Sequence, residues 1–303
     1  MLPDDVLALL AVADTGSVTR AAERVHLTQS ALSRRLQRLA ARVGVALLEP
    51  RGRHVALTPA GEAVVAAARR QLADWETVLA GVRGHSHPPL RLGCGATIAL
   101  TLLPAALARL RQEIPHLPLL LRSMDSAATA TGCLVGELDA GLVTTASADP
   151  RLAAVPLATD DVVAVGPPGW PSRLTLRALA TGPLCLYVRG TGFRSLVDEL
   201  LGSAGLFPEP VAQMDSLEAL RELVCAGLGR SLLPRSVCAG ALASGRLQVL
   251  AVEGLPAAAR TIALLRRRDR EPHPAFSALQ QALLGVAGGA AGIAPSRRNP
   301  GAG

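Results

Sequence analysis

The chain has 303 residues, room for one small and one larger domain, and half of them are hydrophobic, which excludes an intrinsically disordered protein. Aromatic residues make up only 2%, so Leu, Val and Ala must build the cores, and sequence-tolerant single-strand binding by base stacking is disfavoured. All 31 basic residues are arginine; with the high Ala, Gly and Pro content this follows from a GC-rich genome, but the net charge of +7 still favours an anionic partner such as nucleic acid.

Residues 1–15 carry Asp4, Asp5 and Asp14 and lack the basic start of a signal peptide, so a cytoplasmic location is expected. The most apolar run, Ala96 to Ala108, contains Pro104 and is too short to span a bilayer, so no membrane partner is expected. Residues 4–13 place apolar side chains at 6, 9, 10 and 13, a helical stripe broken at Asp14-Thr15-Gly16. Ser17 then caps a second short helix, VTRAAERV, and Thr28 caps a third, QSALSRRLQRLAARV, which closes at Gly44. Between Ser17 and Thr58 stand eight arginines (20, 24, 34, 35, 38, 42, 51, 53) against Glu23 and Glu49, most of the excess charge of the chain.

In the third helix Leu32, Leu36, Leu39 and Val43 step by helical intervals and predict one buried stripe, while Gln29, Ser30, Ser33, Arg34 and Gln37 fall on another face. Two short helices with a tight turn, the second presenting Gln, Ser and Arg from its N-terminal half, are what reading a major groove requires. Gln pairs bidentately with adenine and Arg with guanine; Ser suits phosphate or either base type. Two apolar runs around Pro50-Arg51-Gly52-Arg53 predict a two-stranded wing with its turn at Arg51-Gly52. Thr58 caps a long helix with Pro59 at its first position, reaching about Arg83. Its residues Val64, Ala68, Leu72, Trp75, Leu79 and Val82 form a near-heptad seam suited to pairing with a second copy.

Residues 84–89, GHSHPP, read as a linker whose His85 and His87 lack partner ligands, and no metal site is expected. From Leu90 strands alternate with helices: strands near 90–96, 117–124, 136–145, 160–167, 183–190 and 230–234, and helices near 99–114, 126–136, 197–205 and 216–227. That alternation predicts an α/β domain with mostly parallel sheets. The Gly/Ala/Pro-rich tail is expected to be disordered. The five cysteines (94, 133, 185, 225, 238) are scattered and odd in number, which reads as reduced thiols. No GxSxG elbow, P-loop, GxGxxG strand-to-helix turn or HExxH supports an enzyme, and no catalytic residue is assigned. A solute-binding protein would need a signal peptide, and a molybdate-responsive winged-helix regulator fits the long α/β half poorly.

The stretch TRAAERVHLTQSALSRRLQRLAARVGVALLEPRGRHVALTPAG resembles the DNA-binding domain of LysR-type transcriptional regulators, and LLPAALARLRQEIP, GELDAGLV and SLEALRELVCAGLGRSLLP are similar to their effector-binding domain. The resemblance implies an α/β fold overall: an N-terminal all-α winged helix-turn-helix over 1–58, a dimerising linker helix over 59–84 and a hinge over 85–89. A two-lobed, periplasmic-binding-protein-like effector domain then spans 90–285, with a disordered tail at 286–303. The expected DNA contacts are Thr28, Gln29, Ser30, Ser33 and Arg34, with Ser17 and Arg20 on the preceding helix and Arg51 and Arg53 on the wing. The effector cleft is expected to involve Ala96, Thr97, Thr144, Thr145, Gly190, Thr191, Gly192, Phe193, Asp215 and Ser216. Operator DNA, a second copy of the chain, a small organic effector and RNA polymerase are the implied partners, with no cofactor. Three positions depart from the family: Ser30 and Pro50 stand where proline and arginine are common, and Leu48 where phenylalanine is. Glycine-opened helices and Arg189 or Arg194 at the cleft suggest an organic acid or amino-acid-like effector.

Overall fold

The computed structural model describes residues 3–51, 54–82, 87–145, 147–287 and 293–295. The chain divides into two units, Met1–Pro89 with Leu134–Glu137, and Leu90–Cys133 with Leu138–Gly303.

In the first unit, α1 (Asp4–Thr15), α2 (Val18–Arg24) and α3 (Gln29–Val43) are followed by the strands β1 (Leu48–Arg51) and β2 (His54–Leu57) and by α4 (Pro59–Val82). Gly16 and Gly44 end α1 and α3 in the left-handed conformation, φ 63° and 80°, which a side chain would strain. Leu32 of α3 is buried with Ala8, Ala11 and Val12 of α1 and Ala21 and Ala22 of α2, while Leu39 packs with Leu9, Leu10, Leu47, Val65 and Ala68. The stripe does not run the full helix: Val43, its last residue before the Gly44 cap, is 44% exposed. β1 and β2 pair antiparallel with Arg51 opposite His54, so Arg51 ends β1; Gly52 and Arg53 lie outside the described residues. Thr58 ties the entry to α4: its hydroxyl donates to the Ala46 carbonyl at 2.7 Å and accepts the Gly61 amide at 3.1 Å. A Cβ on Gly61 would stand 2.0 Å from the Leu47 carbonyl oxygen, so only glycine fits there.

The second unit runs β3 (Leu90–Cys94), α5 (Ala96–Thr101), α6 (Leu103–Glu113), β4 (Leu119–Ser123), α7 (Ser126–Val135), β5 (Ala140–Val143), β6 (Leu152–Gly166), β7 (Arg173–Thr175), α8 (Leu176–Thr181), β8 (Cys185–Tyr187) and α9 (Gly192–Gly202). It continues with β9 (Ala212–Met214), α10 (Leu217–Cys225), β10 (Ser231–Pro234), α11 (Arg235–Ala243), β11 (Gln248–Val249), β12 (Ala251–Glu253), β13 (Ala259–Arg267), α12 (Phe276–Ala287) and β14 (Ile293–Pro295). The helix expected over 99–114 is two helices, since Pro104 in the first turn of α6 breaks the run after Leu102.

Two cores define two lobes. One is built from β3, β5, α5, α6 and α12, with Leu90, Leu142, Leu264 and Leu279 at its centre. The other draws on residues 162–258, with Val165, Leu179, Leu201, Leu220 and Leu233. β6 and β13 run antiparallel through both, from Leu152↔Arg267 to Asp161↔Ala259, and form the crossover. The large sheet is therefore mixed: β3 is parallel to β4 and β5, but β6, β10 and β13 pair antiparallel, while β8 with β9 and β7 with β12 form two small parallel sheets of their own. The tail expected to be disordered includes the end of α12 and a strand, Ile293–Pro295, paired with β6 at Ala158–Asp160; its other residues from 288 onward lie outside the described ones.

Candidate DNA interface and effector cavity

The start of α3 is set by its cap, where the Thr28 hydroxyl accepts the Ala31 amide at 3.2 Å; Ser17 accepts the Arg20 amide at 3.4 Å at the start of α2. Thr28, Gln29, Ser30 and Arg34 are exposed and Ser33 is half-buried, so all five sit on or beside one open face of α3. Thr19 on α2 donates to Gln29 Oε1 at 3.3 Å, and Ser30 Oγ lies 3.2 Å from Thr28 Oγ1. Arg20 donates through Nη2 to the Thr15 carbonyl at 2.7 Å.

The arginines divide into two sets. Arg35, Arg38 and Arg24 meet Asp4, Asp5 and Asp14 of α1 at 3.2, 2.7 and 3.3 Å, so aspartates upstream of the basic stretch neutralise part of its charge. The Arg38 hydrogen bond holds the Asp5 carboxyl below its usual range. Arg34 and Arg51 have no ion pair or hydrogen bond among the described residues. Arg53, expected at the wing tip, lies outside the described residues.

In the second unit a cavity of about 260 Å³ opens between the lobes. Ala96, Thr97, Thr144, Thr145, Gly190, Thr191, Gly192, Phe193, Asp215 and Ser216 all line it, drawn from four separate segments. Gly190, at φ 86°, permits the turn into α9, whose N-terminus the Thr191 hydroxyl caps by accepting the Arg194 amide at 3.3 Å. A Cβ on Gly192 would meet Thr145 Oγ1 at 2.2 Å, so a glycine lets this turn approach the opposite lobe.

Further lining residues escaped the sequence reading: Asp125, Ser126, Tyr187, Glu218 and Arg260 among them. Glu218 bridges the lobes, accepting from Thr97 at 2.9 Å and from Ser216 at 3.1 Å. Tyr187 donates to the Asp215 carbonyl at 2.9 Å and meets the Phe193 ring edge-on. Burial, then the charges of Glu218, Asp215 and Asp125, push the Tyr187 phenol upward. Arg260 reaches the fully buried Asp160 through Nε at 3.0 Å and Nη2 at 2.8 Å. Asp160 also accepts the Ser236 amide at 3.0 Å and hydroxyl at 2.6 Å. Of the two arginines expected at the cleft, Arg194 is buried against Asp198, the Tyr187 carbonyl and Gln213, and neither it nor Arg189 lines the cavity. Their neighbouring glycines carried the expectation, and the helix turns Arg194 inward. Among the described residues no group of three His, Cys, Asp or Glu side chains could hold a metal ion, and no helix is long and apolar enough to cross a membrane.

Residues 3–62 match the bacterial regulatory helix-turn-helix proteins of the lysR family, and residues 83–288 match the LysR substrate binding domain. The chain is 32% identical to an HTH-type transcriptional regulator of Mycobacterium bovis, over 81% of this chain and 84% of that one. It is 28% identical to the HTH-type transcriptional regulator GltR of Bacillus subtilis, over 89% and 91%. In fold it is similar to full-length CbnR, a structure solved with its target DNA, at 24% identity and a TM-score of 0.63 over 93% of this chain and 99% of that one. The helix-turn-helix unit and the two-lobed α/β unit are thus the two parts of one regulator, and the chain belongs to the LysR family of transcriptional regulators, proteins that bind DNA and an effector and are not enzymes.

Proposed function

We propose that Thr28, Gln29, Ser30, Ser33 and Arg34 read operator DNA from the major groove, that Ser17, Arg20, Arg51 and Arg53 hold its backbone, and that the interlobe cavity takes a small organic effector. The observation that carries the DNA reading is the unpaired Arg34 on the open face of a capped helix whose Arg35 and Arg38 are occupied by aspartates. A guanidinium without a protein partner is free to meet guanine or phosphate. For the effector, the support is convergence: ten residues from four distant segments surround one cavity near the lower end of the small-ligand range.

A second copy of the chain is the partner of α4. Val65 and Ala68 pack in the helix-turn-helix core, but Leu72, Trp75, Val78 and Val82 are 37, 54, 53 and 79% exposed, a stripe one chain leaves uncovered. Operator palindromy would mirror such a dimer. RNA polymerase is a further partner in this reading, and the cytoplasm its location. Selection of genomic fragments by the purified protein at two salt concentrations tests it. An inverted repeat recovered at both supports a dimeric reader; recovery of only salt-sensitive, sequence-independent DNA overturns the assignment of α3.

A further inference from the structure

We infer that the ligand of the interlobe cavity carries a positive charge, an alkylammonium group facing Asp125, Asp215 and Glu218, as in an aliphatic amine or a basic amino acid. The inference rests on the reading of this cavity as the effector site and adds the chemical class of its occupant.

The cavity wall holds three carboxylates against one guanidinium. Most features that would welcome an anion are already occupied by the chain itself. The exception is the N-terminus of the short α5, which Gly95 leaves without a side-chain cap and where the carboxylate of an amino acid can lie. Arg260 gives two N–H bonds to Asp160. The N-terminus of α9 is capped by Thr191, and that of α10 by Ser216, with Glu218 in its first turn. There the Ser216 hydroxyl accepts the Ala219 amide and the Glu218 charge offsets the helix dipole, which disfavours a second anion at that end.

The acceptors are in the opposite condition. The Asp215 side chain makes no hydrogen bond or ion pair among the described residues, and Asp125 accepts only the Ala128 amide, at 2.7 Å. Glu218 is held by two neutral hydroxyls and no cation. The half-buried Glu218 gains most from a cationic partner and the exposed Asp125 and Asp215 less, while a dicarboxylic acid would add like charge beside all three. The carboxylates do not converge tightly enough for a metal ion, which fits an extended cation. Tyr187, the one tyrosine of the chain, places an aromatic ring in the same wall, a further favourable surface for an ammonium group, whereas the Phe193 ring already lies under the Arg260 guanidinium.

Calorimetric titration of the full-length protein with L-lysine, putrescine, norleucine and succinate at millimolar concentration tests the inference. Ala127 is exposed, lines the cavity and sits in the first turn of α7, so Ala127→Trp blocks the mouth without entering a core. Lysine or putrescine is expected to bind, to lose binding in Ala127→Trp, and to bind about tenfold or more weakly in Asp215→Asn and Glu218→Gln as a charge-assisted contact is lost. Asp215→Asn removes no hydrogen bond the fold uses, so it separates charge from stability. Succinate binding that Ala127→Trp abolishes and Asp215→Asn leaves unchanged would overturn the charge assignment while keeping the cavity as the site. Amine binding untouched by Ala127→Trp would overturn both, and failure of both amines to bind would overturn the charge assignment.

Discussion

Asp160 and Arg260 stand directly opposite each other on the two crossover strands, and among the described residues the only acceptor for the Nε and Nη2 hydrogens of this arginine is the carboxylate of that aspartate. The pair is buried, with Asp160 fully enclosed and Arg260 7% exposed, and Arg260 also lines the interlobe cavity. Removing one partner leaves an uncompensated buried charge, which costs far more than removing both. Asp160→Ala is expected to destabilise the effector domain by on the order of 3–5 kcal/mol in urea denaturation, and the double replacement Asp160→Ala with Arg260→Met by clearly less. Equal losses in the two variants would show that packing, and not the charge, holds the crossover.

Two glycines predict opposite signs. Gly61→Ala drives a Cβ to 2.0 Å from the Leu47 carbonyl oxygen, backbone that cannot swing aside. It is expected to lower the Tm of the DNA-binding unit, at a cost of about 1–3 kcal/mol typical of forced overpacking. Gly240, inside α11, has nothing within 4 Å of a Cβ, so Gly240→Ala is expected to stabilise by about 0.5–1 kcal/mol. Thermal unfolding of both variants checks the pair of signs.

On α3 the prediction separates arginines four residues apart. Arg34→Ala is expected to cost on the order of 1–3 kcal/mol at the cognate operator and to relax base preference at one position. Arg38→Ala loses the bond to Asp5 and is expected to change operator affinity little. Arg51→Ala is expected to weaken all sequences alike and to flatten the salt dependence. Fluorescence anisotropy against matched and scrambled operators distinguishes the three patterns.

The thiols of Cys133 and Cys238 are pushed up to about 12 by burial, so they stay protonated at neutral pH and are poor nucleophiles. Cys225, half-buried, is expected to react first with a thiol reagent at pH 8, and the other two only after denaturant is added. Because the folded state holds these protons more tightly than the unfolded chain, their contribution to stability is complete below pH 9 and is lost as pH rises from about 9 towards 12. A stability profile that is flat across that alkaline window would contradict the burial.

What the sequence disclosed was mostly local. Thr28 and Gly44 bracket α3 because a cap and a left-handed glycine act within a turn of their own positions, and the spacing of Leu32 and Leu39 needs only the helix period. Val43 obeyed the same spacing and is exposed, because helix period alone does not say which turns of α3 a neighbouring element covers. The cavity loops became visible through resemblance, but Glu218 and Arg260 did not. Glu218 meets Thr97 121 positions earlier in the chain and Arg260 meets Asp160 100 positions earlier, and no pattern within one element announces such a pair. The charge density of the basic stretch was legible, its partial neutralisation by Asp4, Asp5 and Asp14 was not, since those aspartates arrive from a different helix.

The two lobes differ in how they can be made. The core around Val165, Leu201 and Leu233 is contained within residues 162–258, one continuous stretch. The core around Leu90 and Leu142 is completed only by Ile262, Leu264, Leu279 and Leu283. On a ribosome the inserted lobe can therefore close while its host still waits for the last helix, and the host pays the larger loop-closure entropy. A nonsense mutation just before Phe276 would remove a small fraction of the chain, yet leave the first-synthesised half of the sensor with an open apolar face.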